Sequence, residues 1–532
     1  MNKITMAFIF SSLAALLSSC GLQKNTVAAW EKPQMSADEI AKGEFTPSVM
    51  LKMGRLSEPQ LSPDGTQILY GVTYLNIEEN SSRTNLYIQS TQEGAEAEMV
   101  TTGDFKDYNN RWGNDGKTIY FLSNRSKDAQ LWSMDVSSKT MKQLSKVESG
   151  INGFEIAPNG DKIWYTQQIK VDQTAKDIYP DMQKANVMVY DDLMVRHWNY
   201  WLDGTYSHLM VATLGTDSLS AAKDIMQDEP WDAPLAPYFD ISEVKWNNAG
   251  SQLAYTSKKL KGSDYAFSTN SEIYLYDTES GVTKNLTEGM PGYDRTPLFS
   301  PDDKQIAWLS MERPGNEADK SRLFVMNLMS GEKSYVTKSF DYNAANLVWS
   351  DNNTIYFIAP ISATHQICKV EAKDNAEVAV LTEGLHDYIS LSLAGGKMIA
   401  EKTTLSMAPE IFSINVADGK DNQLTSINKD IYANIKLGEV QKRMIKTTDG
   451  KEMLTWVLLP PDFDSTKTYP ALLYCEGGPQ SVVSQRWSYR WNLQLMASHG
   501  YVVVAPNRRG LPSFGQEWLD QISGDYSGQN IK

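Results

Sequence analysis

The sequence predicts a seven-bladed β-propeller followed by the opening of an α/β sheet. Three observations carry this prediction. A short motif recurs through the middle of the chain: an apolar or aromatic residue, a tight polar turn, then an alternating apolar strand. Its spacing is that of propeller blades. After about Ile427 the period changes to strand, helix and continuous apolar strand.

Length and composition set the bounds. At roughly 150 residues per domain, 532 residues hold several units, or one large repeat array and something smaller. The chain is 41% hydrophobic and 22% charged, which excludes collagen and extensive disorder. Fifty Lys and Arg stand against 65 Asp and Glu, a formal charge of −15. That balance argues against a nucleic-acid partner, whose phosphates demand basic patches. Three cysteines exclude a disulfide scaffold. The 14 Trp, 26 Tyr and 15 Phe suit a large β structure.

Residues 1–19 read as a secretory signal peptide. Lys3 supplies a positive start, and Met6 to Leu17 is mostly apolar. That run is too short to span a bilayer as a helix, which takes about 20 residues. It ends Leu17-Ser18-Ser19-Cys20-Gly21, which resembles the lipobox of bacterial lipoproteins, where the cysteine is acylated. An ordinary signal peptide with a chance cysteine is the other reading. Lipidation at Cys20 places the protein in the periplasm or cell envelope, with an N-terminal lipid as its membrane contact. Residues 20–47 are polar and read as a tether or spacer.

Residues 48–430 carry the repeat. Leu61-Ser-Pro-Asp-Gly65 precedes Ile68-Leu69-Tyr70, and Trp112-Gly-Asn-Asp-Gly116 precedes Ile119-Tyr120-Phe121. Further copies begin at Ile156, Trp246, Phe299 and Trp349, with a weaker one at Ser392. Pro presets the second turn position, and Asp, Asn or Gly tolerate the corner. A second strand and a short tail follow, as in Leu131–Asp135 with Gln143-Leu-Ser145, and Ile273–Asp277 with Asn285-Leu-Thr287. Neighbouring turns lie 42 to 53 residues apart, except for one gap of 90. The gap content, Tyr179 to Pro237, is irregular and rich in Trp, Tyr and Asp. It reads as an insertion in a seven-bladed ring, with an eighth blade as the alternative.

Residues 431–532 read differently. Leu454–Leu459 is a strand, and Pro470–Tyr474 is a short apolar strand running into Cys475-Glu-Gly-Gly-Pro479. A helix is expected over roughly Val482 to His499. Tyr501–Ala505 is a continuous apolar strand of the kind buried on both faces, which needs parallel neighbours to cover it.

This C-terminal segment resembles the start of the α/β-hydrolase domain in the prolyl oligopeptidase family of serine peptidases. The matching pieces are "LLPPDFDSTKTYPALLY", "GGP", "YVVVAPNRRG" and "SFGQEW". "NRRGLPSFGQEW", "ISGDYSGQN" and, within the repeat, "TNSEIYLYDTESGVTKNLTEGM" resemble its dipeptidyl and acylaminoacyl peptidase branch. The resemblance covers essentially all of residues 48–532 and implies a propeller followed by a hydrolase domain, here incomplete. It implies a serine exopeptidase acting on oligopeptides without a cofactor, and it leaves a homodimer open.

The family's nucleophile sits on a G-x-S-x-G elbow, with Asp and His after it. No such motif occurs in these 532 residues. Gly524-Asp-Tyr-Ser-Gly528 misplaces Ser527 by one and reads as loop. The triad is therefore expected beyond Lys532, and this segment by itself is expected to be inactive. A non-catalytic propeller lipoprotein, acting as a binding or scaffold module, is the alternative.

The candidate site residues are few. The loop Glu476, Gly477 and Gly478 follows the strand end where this fold builds half of its oxyanion hole. Relatives supply Tyr or His where this chain has Glu476. A carboxylate cannot stabilise an oxyanion unless protonated, so a neighbouring main-chain N–H does that work, or Glu476 meets a substrate ammonium or a nearby Arg. An exopeptidase that counts from the N-terminus must also hold a free ammonium. The acidic, aromatic stretch 228–232 supplies Glu229 and Asp232 as candidates, with a solvated loop as the bland reading. Arg508 and Arg509 read as structural. None of the five histidines stands at metal-ligand spacing, and Cys368 and Cys475 read as inert core thiols.

Overall fold

The computed structural model describes residues 32–478 and 480–532, and residues 33–532 form one compact unit. Cys20 and the expected signal peptide lie outside the described residues.

From Arg55 to Gln423 the chain is a succession of four-stranded antiparallel meanders. Five are separate sheets, spanning 55–99, 107–143, 154–224, 244–285 and 294–335. An eight-stranded sheet over 345–423 holds two more, joined by a single parallel bridge between His365 and Asp387. Each polar turn of the repeat joins the first two strands of its sheet. At the first, Asp64 accepts from the Ser62 hydroxyl and the Thr66 N–H, while Gly65 takes the left-handed corner at φ 70°. Asp303 holds the corresponding corner at φ 58° without glycine, and its carboxylate accepts N–H groups from Asn248 and Ala249 of the preceding sheet.

The apolar residues of the repeat pack between sheets. Leu69 and Ile88 of the first meet Trp112 and Phe121 of the second, and corresponding clusters lie between successive sheets up to the seventh. No meander could cover its own faces; its neighbours do so. Three of the motif tryptophans also bond backward: the indole N–H of Trp112, Trp246 and Trp349 donates to Gln60, Glu155 and Leu298 on the preceding sheet. The short tails have a job as well. Thr101, Ser145, Thr287, Thr337, Thr382 and Thr425 each accept a main-chain N–H from their sheet's third strand, at 2.8–3.0 Å. The first sheet is stitched to the last: Gln89 donates to the Leu424 carbonyl at 2.6 Å, and Asn428 bonds Gly54 in both directions.

The third sheet corrects one expectation. The 90-residue gap is not irregular throughout Tyr179 to Pro237. Thr205–Thr213 and Lys223–Asp224 are strands of the sheet, and the insertion proper is 171–204, between its second and third strands. It contains a two-stranded ribbon, Arg196–His197 with Tyr200–Trp201.

The C-terminal sheet has the order Val440–Lys446, Glu452–Leu458, Val502–Pro506, Ala471–Leu473, and its last two strands run parallel. The apolar strand is therefore paired on both edges, and the edge strands are Val440–Lys446 and Ala471–Leu473, whose Leu473 is 62% exposed. Cys475, just beyond that strand, is exposed rather than a core thiol, whereas Cys368 is buried and burial pushes its thiol up to about 12. The helix expected over Val482 to His499 shrinks to Leu493–Ser498. Residues 483–487 are instead irregular and held by tertiary bonds: the Val483 N–H donates to Asn507, Ser484 to Asp387 and the Trp487 N–H to Thr403.

Part of the expected spacer is folded. Ser36 and Glu39 form a capping box on the helix Ala37–Lys42, and Phe45, Val49 and Met53 pack against Ile431 and Trp487. Asp387 is the polar hub between repeat and C-terminal segment. Its fully buried carboxylate accepts the Ser484 hydroxyl at 2.5 Å, the His365 N–H at 3.0 Å and the Gln485 N–H at 3.3 Å. The loops between second and third strands grip the same segment: Ala363 bonds Ser513, and Ser406 bonds Gln494. The insertion 171–204 is the corresponding loop of the third sheet, so it rises on the same rim.

Candidate substrate-binding site

The third sheet departs from the repeat where Glu229 and Asp232 fall. Met226 occupies the position that Ser or Thr fills in the other six. Ser207 on that sheet's third strand gives its N–H to Asp232 Oδ1 at 2.7 Å. The other Asp232 oxygen has no partner among the described residues. Burial raises the Asp232 carboxyl to about 6, although the Ser207 N–H and nearby His208 oppose the shift. Asp232 lines a cavity of about 220 Å³ with Asp172, Tyr206, Trp231, Lys261 and Tyr265. Tyr206 donates to Asp172 at 2.6 Å. Burial, with Asp232 nearby, pushes the Tyr265 hydroxyl up to about 12.

Glu229 is committed elsewhere. Its carboxylate receives the Lys259 ammonium at 2.6 Å, and its carbonyl lies 2.9 Å from His208 Nε2. The other His208 nitrogen lies 2.8 Å from Asp224. Burial alone would lower the His208 pKa; the Asp224 carboxylate and the Glu229 carbonyl outweigh it and raise it. His208 thus anchors the acidic loop from beneath. Sequence reasoning passed over this role, although Met226 in place of the recurring hydroxyl was a readable signal.

The loop after Ala471–Leu473 places Glu476 in a half-buried setting. Burial together with the nearby Glu476 carboxylate pushes the Tyr474 hydroxyl up to about 12. An arginine does meet Glu476, but through the main chain: Arg508 donates to the Glu476 carbonyl at 2.9 Å. Gly477 faces open space, and its N–H has no partner among the described residues. Gly478 sits at φ 117°, where a side chain would be strained. Arg509 is structural: it pairs with Asp449 and Gln521 and lies over the Trp518 ring at 5.0 Å. Glu476 lines neither the Asp232 cavity nor its neighbour, so these contacts do not join the two candidate groups.

A repeat of antiparallel sheets is thus joined to a sheet that contains a parallel strand pair, with a pocket lined by Asp172, Asp192 and Asp232 beside the insertion. The model of the prolyl oligopeptidase family matches residues 487–532. Dipeptidyl-peptidase 5 of Porphyromonas gingivalis is 42% identical over 489 residues, covering 92% of this chain and 71% of that protein. Dipeptidyl-peptidase 5 of Porphyromonas endodontalis is 39% identical over 92% of this chain and 70% of its own length. Among solved structures, the acylaminoacyl peptidase of Pyrococcus horikoshii superimposes with a TM-score of 0.72 at 18% identity, covering 92% of this chain and 70% of that one. That likeness speaks for the fold. The chain belongs to the prolyl oligopeptidase family.

Proposed function

We propose that this chain serves a serine exopeptidase that removes dipeptides from peptides with a free N-terminus, and that its residues perform the binding half of the reaction. One observation carries the reading: Asp232, with one oxygen that has no partner among the described residues, lines a cavity on a chain 42% identical to a dipeptidyl-peptidase. An α-ammonium entering that cavity meets this oxygen, while Glu229, neutralised by Lys259 and tied to His208, fixes the loop. The seven meanders act as blades of one closed propeller whose rim admits short peptides. At the other end of the substrate the Gly477 N–H supplies an oxyanion donor, with Arg508 holding the Glu476 turn in place through its carbonyl. Serine acyl transfer needs no cofactor. No G-x-S-x-G elbow is among the 532 residues, so no nucleophile is assigned to them. Cys20 carries the lipid that holds the protein at the cell envelope.

The test uses the native protein. Its intact mass, with both terminal peptides sequenced, shows whether Cys20 is the acylated first residue and whether an elbow is present. Its hydrolysis of dipeptide reporters is then compared with free and with acetylated N-termini. Cleavage of the free reporters alone supports the reading. Cleavage of acetylated reporters alone replaces it with acylaminoacyl release. A native protein that lacks an elbow and cleaves neither is a binding module.

A further inference from the structure

The edge strand Val440–Lys446 of the C-terminal sheet is paired on one side only. It carries Lys442-Arg-Met-Ile-Lys446, a run of consecutive exposed residues. Met444 is 55% exposed and Ile445 40%. Lys442, Arg443 and Lys446 form no ion pair among the described residues, and Arg443 donates to the Gln441 side chain. Across the register stand Trp456, Thr455, Leu454, Met453 and Glu452, so three cations face one carboxylate. Two acids that follow in the sequence are committed elsewhere: Asp449 pairs with Arg509, and Glu517 with Lys451. The strand is thus a basic, partly apolar stretch on a chain whose formal charge is −15.

The N-terminal segment joins the fold beside this strand. The Lys436 N–H donates to the Gly43 carbonyl at 2.9 Å, and Glu44 bridges to Lys436, shortly before the strand begins. We propose that Lys442–Lys446 is a contact for an anionic lipid surface. The cations meet lipid phosphates, and Met444 and Ile445 reach the acyl boundary. The unpaired N–H and C=O groups of the edge stay among hydrated headgroups, so the strand lies on the bilayer and does not enter its hydrocarbon. The acidic remainder of the molecule does not prevent this, because charges more than about 8 Å from the phosphates are screened at physiological ionic strength. A second copy of this chain is the poorer occupant: antiparallel pairing about Met444 sets Lys442 against the Lys446 of the copy. Lysines alone would guard a free edge against strand pairing, but guarding does not call for Met444 and Ile445 at the surface. The inference rests on the proposed attachment at the cell envelope. A lipid at Cys20 limits how far the protein strays; the strand decides which face it turns to the bilayer.

The test is sedimentation of the full-length protein, produced without lipid, with vesicles of phosphatidylcholine alone or mixed equally with phosphatidylglycerol. Binding to the mixed vesicles only is expected. Replacing Lys442→Gln, Arg443→Gln and Lys446→Gln together is expected to lower that partition by roughly a hundredfold, about fivefold per charge. Lys117→Gln, Lys284→Gln and Lys333→Gln together remove the same charge from exposed positions of the repeat and are expected to leave binding unchanged. Equal loss in the two triple variants overturns the inference, as does equal binding to both kinds of vesicle. Binding to neither also overturns it and leaves the strand a guarded edge. A dimer that the strand variant dissociates, with no vesicle bound, gives the surface to a second copy. An intact mass without an acyl chain at Cys20 overturns the tether alone, because the vesicles test unlipidated protein.

Discussion

Asp387→Ala removes the polar hub between the repeat and the C-terminal segment. In the native protein this buried carboxylate accepts the Ser484 hydroxyl and the N–H groups of His365 and Gln485. His365 Nδ1 also lies 3.1 Å from it. The Ser484 hydroxyl can turn toward another acceptor, but the two N–H groups cannot. Each orphaned buried N–H costs about 1–3 kcal/mol, and breaking a buried charged contact on one side costs about 3–5 kcal/mol. A local loss of about 3–5 kcal/mol speeds exchange of the affected amides by roughly 10²- to 10³-fold where exchange follows local opening. Hydrogen exchange read over 484–487 and 363–366 measures it. Asp387→Asn keeps an acceptor and is expected to lose less than half as much. Unchanged exchange over 484–487 in Asp387→Ala would refute the view that this carboxylate, rather than the surrounding apolar contacts, fastens the segment.

Thr337→Val leaves the Leu323 N–H without its acceptor and is expected to cost about 1–3 kcal/mol in thermal or denaturant unfolding. Met226→Thr, at the matching position of the third sheet, offers a hydroxyl acceptor to the Leu209 N–H, whose carbonyl already takes the Ile225 N–H, and is expected to gain about 0.5–1.5 kcal/mol. The affinity for dipeptide amides should rise as pH climbs through about 6, where Asp232 ionises. It should fall as the peptide amine loses its proton near about 8. Asp232→Asn should lose the lower limb of that profile. The stability change has the opposite sign. A carboxyl raised in the folded state favours folding when protonated, a contribution present below the ordinary carboxylate range and lost as pH rises through about 6. Asp232→Asn should therefore stabilise the protein at pH 8, by up to about 3 kcal/mol, read by denaturant titration at pH 5 and pH 8.

The repeat was legible because each copy writes its own turn. A proline or polar pair at the corner, followed by an alternating apolar strand, is a local instruction that tertiary context had no cause to override. The 42–53-residue spacing therefore mapped onto real sheets. The strands Thr205–Thr213 and Lys223–Asp224 escaped notice because the usual Ser or Thr tail is missing there, and Met226 gave no sign of a sheet edge. The helix expected after Val482 failed for the converse reason. Its sequence tolerates a helix, but Asp387, Thr403 and Asn507 accept bonds from Ser484, Trp487 and Val483 that hold this stretch out of a helix.

At the site, the sequence alone determined which residue types were available: a carboxylate pair at 229 and 232, and a glycine turn after the short strand. It could not say which carboxylate was spent. Glu229 and Asp232 are three residues apart and chemically alike. Lys259 and His208 neutralise and anchor Glu229, while Asp232 lines a cavity with one oxygen left without a partner among the described residues. The turn at Glu476 was likewise readable, but its arginine partner acts through the carbonyl rather than the carboxylate. Local turn chemistry and apolar period are properties of neighbouring residues and survive in the sequence. The partner a charge finds depends on which strands the fold brings together, and that is settled only in three dimensions.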